Sequence, residues 1–119
     1  MNVIDLYKRR EKAVGKPCPY CGVKMVLGRN RSIFHTTRDH IFPRSQGGTL
    51  AIIVCFACNN EKADMSPFEW IEHLYRAGRA HHAERTICAY CQIGGVFRDG
   101  VTAPDVLDAI ETFWLAEAA

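Results

Sequence analysis

Apolar and charged positions recur at helical spacing over residues 2–14. Val3, Leu6 and Tyr7 mark one side, and Lys8, Arg9, Arg10 and Lys12 follow. The spacing predicts a basic helix. Val23 to Leu27 and Ile33 to Thr37 are short apolar or β-branched runs on either side of Gly28, Arg29 and Asn30, which predicts two strands joined in a hairpin. Residues 41–48 (IFPRSQGG) carry Pro43 and the pair Gly47 and Gly48, and read as a loop. Ile52, Ile53 and Val54 form a brief apolar strand, and residues 59–64 read as a short helix. Ser66-Pro67-Phe68-Glu69 has the form of a capping box with Pro at the first helical position. It opens a helix reaching about Arg79, with Phe68, Ile71, Leu74 and Tyr75 as its core stripe. Thr102 to Asp105 opens a last helix in the same way, with Val106, Leu107, Ile110, Phe113 and Trp114 apolar.

Composition narrows the class. The chain has 119 residues, 48% apolar and 24% charged, which excludes disordered and collagen-like readings. The length predicts one domain, residues 1–119, whose modest core would gain from a metal staple. No apolar run approaches the roughly 20 residues of a membrane-spanning helix. The N-terminus has no secretory apolar region, so a soluble cytoplasmic protein is expected. The net charge of +2 hides an asymmetry: residues 1–62 carry 11 Lys/Arg against 4 acids, and residues 63–119 carry 4 against 9. The basic half suits a polyanion.

The six cysteines form three C-x-x-C pairs, Cys18/Cys21, Cys55/Cys58 and Cys88/Cys91. In a reducing compartment such pairs bind metal or do redox chemistry more often than they form disulfides. Two such turns complete a tetrahedral zinc site. Cys21 and Cys55 have 33 residues between them, and Cys58 and Cys88 have 29, so spacing alone does not choose the partners. A thioredoxin-like redox pair lacks its βαβ context.

The candidate chemistry lies between the first two pairs. Asp39 offers a hard oxygen to a divalent cation. His40 beside it, on the opposite face of a strand end, is suited to act as a base near neutral pH. Asn59 and Lys62 follow Cys58 one helical turn apart. A carboxylate, an amide, an imidazole and a lysine together suit metal-assisted attack on a phosphodiester.

These residues resemble the HNH endonucleases, nucleases of the ββα-metal type. The matching positions are Cys18 and Cys21; Asp39-His40 with Pro43, Ser45, Gly47 and Gly48; and Cys55, Cys58, Asn59 and Lys62. They cover residues 16–64. The resemblance implies an α+β fold: an HNH core with two zinc knuckles, a basic helix before it, and a helical extension over 65–119. It implies a structural Zn²⁺ on Cys18, Cys21, Cys55 and Cys58. It further implies Mg²⁺ or another divalent ion on Asp39 and Asn59, and His40 as the general base in hydrolysis of DNA, expected to be double-stranded. A backbone carbonyl on the far ring nitrogen of His40 would fix its tautomer. Arg38, Arg44 and Lys62 would meet flanking phosphates, with Lys8, Arg9 and Arg10 gripping backbone further away. One position departs from the family: Leu50 stands where a middle Asn is usual, with Thr49 and Gln46 as polar neighbours. Asn60 beside Asn59 leaves the ligand register open by one.

Cys88 and Cys91 admit three readings: buried thiols, a second metal site with His81 or His82, or replacement of one knuckle in the first site. His35 reads as a structural or surface group, and His73 as a surface or interface one. A non-catalytic zinc nucleic-acid-binding module and a protein-interaction zinc module are the competing functional classes. A homodimer and a phage or mobile-element protein are the protein partners left open.

Overall fold

The computed structural model of the chain describes residues 3–28 and 32–118, with side chains described over 8–28 and 32–112. The fold is α+β, with five helices and a two-stranded antiparallel sheet among the described residues. Helix α1 spans Val3–Ala13. Strands β1 (Thr36–His40) and β2 (Ala51–Cys55) follow, with a 3₁₀ turn at Arg44–Gln46 between them. Helices α2 (Phe56–Lys62), α3 (Pro67–Arg76), α4 (Ala80–Ile93) and α5 (Ala103–Ala118) complete the chain. No helix among the described residues is long and apolar enough to cross a membrane.

The hairpin differs from the expected one. Residues 23–27 form no strand. Lys24 makes an isolated bridge to Pro17, and Val26 one to His35. The strand instead begins at Thr36, takes in Asp39 and His40, and pairs with β2 in the register Asp39↔Ile52 and His40↔Ala51. The run 51–55 carries no charge and pairs along the whole of β1, whereas 23–27 carries Lys24 and meets the start of β1 only at Val26. The expected turn at Arg29 and Asn30 lies outside the described residues. The connection between β1 and β2 depends on Gly48. A Cβ there would lie 1.9 Å from the Phe42 carbonyl oxygen, so only glycine lets the loop fold back this tightly.

Helix α2 starts directly after Cys55, three residues earlier than the sequence pattern suggests, which puts Asn59 in its middle. Helix α3 begins at the expected capping box, where Ser66 Oγ accepts from Glu69 N at 3.2 Å. It ends at Arg76, and Phe68 is 54% exposed while Trp70 is fully buried. Thr102 and Asp105 cap α5 reciprocally, at 2.9 and 3.3 Å. Helix α4 was not foreseen. It buries Ala83, Thr86, Ile87 and Tyr90, the i, i+3, i+4, i+7 face of an amphipathic helix.

One hydrophobic cluster runs from Cys18 to Val106. Tyr20, Trp70 and Tyr90 are its largest fully buried side chains. Tyr20 meets Trp70 with ring centroids 5.4 Å apart and Tyr90 edge-on at 5.8 Å. The first C-x-x-C turn is thereby packed against α3 and α4.

Candidate metal centre and catalytic cleft

The first C-x-x-C turn closes on itself. Cys18 N donates to Val23 O at 2.7 Å and Gly22 N to Cys18 O at 2.8 Å. Gly22 supplies the φ of +81° that this reversal needs. The second pair sits at a strand–helix junction, with Cys55 ending β2 and Cys58 on α2. Together they bring Cys18, Cys21, Cys55 and Cys58 into one group whose sulfurs all lie within 4.8 Å of one another. Four sulfurs about 2.3 Å from a central ion lie about 3.8 Å apart along each tetrahedral edge. Cys21 Sγ and Cys55 Sγ are 3.8 Å apart. Tyr20 N and Cys55 N each donate to Cys18 Sγ at 3.4 Å, which favours a thiolate there. Hydrogen bonds from Cys55 and Cys58 pull the Cys18 thiol well down, and the same contacts with Cys18 push Cys55 and Cys58 up. Four crowded thiols cannot all ionise by themselves, and a divalent cation removes that conflict. The donor set fits a structural zinc ion.

A second polar cluster lies on the buried side of β1. Asp39 is 2% exposed and Lys62 fully buried. Lys62 Nζ stands 3.2 Å from Asp39 Oδ2 and 3.4 Å from Oδ1, and donates to the backbone oxygens of His40 (2.9 Å) and Ile41 (3.2 Å). Tyr20 Oη donates to Asp39 Oδ2 at 2.6 Å and also contacts Tyr90 Oη at 2.6 Å. Burial pushes the Asp39 carboxyl up, against the lowering effect of Tyr20 and Lys62. Burial likewise drives Tyr20 well above the ordinary phenol range, so it stays a donor.

This cluster changes the expected role of two residues. Lys62 is closed in by four oxygens of Asp39, His40 and Ile41, and its buried ammonium offers nothing to a phosphate. Asp39 is already neutralised by that ammonium. Both of its oxygens are already engaged, by Lys62 Nζ at 3.2 and 3.4 Å and by Tyr20 Oη at 2.6 Å. Asp39 therefore does not fit a cation ligand while Lys62 is in place.

His40 lies on the other side of β1, at the mouth of a cleft of about 390 Å³ lined by Arg38, Asp39, His40, Pro43, Arg44, Ser45, Asn59, Ala63 and Asp64. Partial desolvation lowers the imidazole below its usual value, and Arg38 and Arg44 add to this. Both effects favour the neutral ring. Among the described residues no hydrogen bond reaches it, so the expected carbonyl on its far nitrogen is not formed. Asn59 Nδ2 donates to Thr37 Oγ1 at 3.1 Å and to Arg38 O at 3.2 Å, which turns Oδ1 away from β1. Asn60 is exposed and lines no part of the cleft. Leu50 packs partly buried against the core, and its carbonyl accepts from Ile41 N at 3.0 Å. The departure at this position is an apolar contact that extends the hairpin.

The remaining expected residues are scattered. Lys8, Arg9 and Arg44 are exposed, while Arg10 is half-buried. Cys88 is exposed on α4, and Cys91 contacts Val101 O at 3.9 Å. Neither joins His81 or His82 in a metal-ligating group among the described residues. His73 stacks on Trp70 and meets Glu61 Oε2 at 2.7 Å. Arg79 closes the other side of Glu61, tying α2 to the start of α4. Sequence reasoning missed Tyr20, Tyr90 and Asp64. Tyr20 was in plain sight between Cys18 and Cys21, but nothing local shows that it reaches Asp39.

No protein-family model, curated protein or solved structure matches the chain. Its function therefore rests on the site.

Proposed function

We propose that the chain is an endonuclease that hydrolyses phosphodiester bonds in DNA, with His40 as the general base. The observation that carries this reading is His40 itself: a partly solvated imidazole with no hydrogen-bond partner among the described residues, lining a cleft with Arg38 and Arg44, where desolvation and the two guanidinium groups favour its neutral form. An unprotonated ring nitrogen takes a proton from a water molecule. The oxygen attacks phosphorus, the bond to the 3′ oxygen breaks, and that oxygen takes a proton from solvent and leaves as a 3′ hydroxyl, with a 5′ phosphate on the other end as the HNH resemblance implies. Arg38 and Arg44 would offset charge on the non-bridging oxygens. Lys62 acts through the backbone: its bonds to His40 O and Ile41 O hold the strand end from which the imidazole projects. The divalent ion that the resemblance assigns to Asp39 and Asn59 requires the Lys62–Asp39 pair to open, and no step is routed through it. The zinc ion on the four cysteines would be structural, fixing the first knuckle to the junction between β2 and α2.

That closed pair, with apolar Leu50, favours a second reading, a non-catalytic nucleic-acid-binding module. Cleavage of supercoiled plasmid by zinc-loaded protein separates the two, with Mg²⁺, Mn²⁺ or no added divalent ion and with His40→Ala as control. The nuclease reading expects nicking that falls at least 100-fold in His40→Ala, within the range of a lost general base. DNA binding without nicking under any condition supports the binding module.

A further inference from the structure

Beside the catalytic cleft, and sharing Arg38 and Asn59 with it, lies a groove of about 600 Å³. Arg10 from α1 and Arg38 from β1 line it, with Thr36, Thr37 and Leu27. Neither guanidinium has an acceptor among the described residues, and the Nε of each is buried without a partner. Glu11 also lines the groove and is exposed. The groove is aromatic as well as basic. His35 and Phe56 stack with centroids 4.9 Å apart and planes at 17°. Phe56 is 40% exposed and Leu27 46%.

The stack is built in advance. Phe56 N donates to His35 O at 2.9 Å, and Ala57 N to Ile33 O at 2.8 Å. His35 Nδ1 lies 2.6 Å from Ser32 O, which orients the imidazole. Two rings fixed by backbone bonds leave an aromatic face in water at little further cost in entropy on binding. A flat ring beside unpaired guanidinium groups matches one ligand chemistry, a base with its phosphates.

We infer that this groove binds an unpaired nucleotide of the DNA strand next to the cleaved phosphate, its base on Phe56 and its phosphates on Arg10 and Arg38. The inference rests on the nuclease reading above and names the preferred substrate: DNA with an unpaired nucleotide beside the cut, as at an overhang or in the locally unwound stretches of a supercoiled plasmid. Bases inside a duplex are already stacked and offer no free face. The Phe56 ring itself has no donor or acceptor, so the stacking contact does not choose among bases.

The test is fluorescence anisotropy at low salt without added divalent ion. It compares a blunt duplex with the same duplex carrying a single-stranded overhang. Wild type should prefer the overhang. Phe56→Ala should lose about ten-fold on the overhang, in line with base stacking on an aromatic ring, and under about two-fold on the blunt duplex. Phe56→Tyr should retain the preference. Arg10→Ala should reduce the slope of log affinity against log salt by about one. If Phe56→Ala loses its zinc, Phe56→Leu replaces it, since Leu keeps bulk without a ring face. Equal losses on both DNAs, or none, overturn the inference. So does a Phe56 variant that changes self-association in sedimentation instead of overhang binding, because the face is then an interface between copies. Cleavage is scored separately. Overhang preference with no cleavage counts against the nuclease reading alone. Cleavage with an unaltered preference in the Phe56 variants counts against the groove alone.

Discussion

The four-sulfur cluster and the Asp39 cluster are both buried, and both take residues from the first C-x-x-C turn, yet they are neutralised from opposite directions. Cys18, Cys21, Cys55 and Cys58 gather four acidic groups, and among the described residues no cation bonds a sulfur: Arg85 reaches the cluster only at the Cys18 carbonyl oxygen, 3.3 Å away. Asp39 has its cation built in, because Lys62 lies 3.2 Å away with its remaining donors on backbone oxygens. A buried charge needs a partner. The sulfur cluster has to recruit one from solution, whereas the Asp39 cluster is complete. The expected structural ion therefore fits and the expected second ion meets a closed pair. The comparison also separates stability from chemistry, since the residue left solvated and neutral is His40.

The largest effect should come from the cluster that recruits its charge. Structural zinc sites in small domains contribute about 10–16 kcal/mol of apparent binding energy. Cys18→Ser, or a strong chelator at pH 7, should abolish cooperative thermal unfolding, followed by circular dichroism. Metal analysis of the untreated protein should find one zinc per chain. An unchanged melting curve after chelation would show that the sulfurs act as ordinary buried thiols.

Next comes the cluster that carries its own charge. Lys62→Met leaves Asp39 buried and unpaired, which should cost about 3–5 kcal/mol in urea denaturation. Adding Asp39→Asn should recover most of it, because an amide tolerates the site without a cation. A double variant as unstable as the single one would mean that the backbone bonds of Lys62 matter more than the ion pair.

The smallest effect belongs to Glu61, a partly exposed carboxylate between His73 and Arg79. Hydrogen bonding to Arg79, then to His73, holds Glu61 below the usual carboxylate range. A depressed carboxyl adds stability that is fully present above its ordinary value and lost as pH falls through the lowered one. Solvent screening keeps this small, so Glu61→Gln should cost under about 1 kcal/mol at pH 7 and less still at pH 3. A cost that grows on acidification would reverse the assignment.

The short-range signals in the sequence carried furthest. Both C-x-x-C turns, the capping boxes at Ser66 and Thr102, and the adjacency of Asp39 and His40 depend on residues within a few positions of one another. What the sequence hid was long-range. Residues 23–27 have strand character, but the partner that β1 takes begins across a loop of ten residues, at Ala51. Helix α4 could have been read from Ala83, Thr86, Ile87 and Tyr90. Its His and Cys residues drew attention to metal chemistry instead. Lys62 was expected to meet a phosphate, and only the fold shows the pocket of oxygens that receives it. The same holds for Tyr20, whose hydroxyl meets Asp39 across 19 positions of sequence.

The central claim is that His40 is the base of a phosphodiester-cleaving site, and its pH dependence tests it most directly. A lowered imidazole is unprotonated at neutral pH, and base function is lost only as pH falls through that lowered value. Plasmid nicking by zinc-loaded protein should therefore hold level from pH 8 down through 6.5 and decline below it, and His40→Ala should be slow throughout. A rate that is the same in wild type and His40→Ala across that range, or absent in both, would contradict the account.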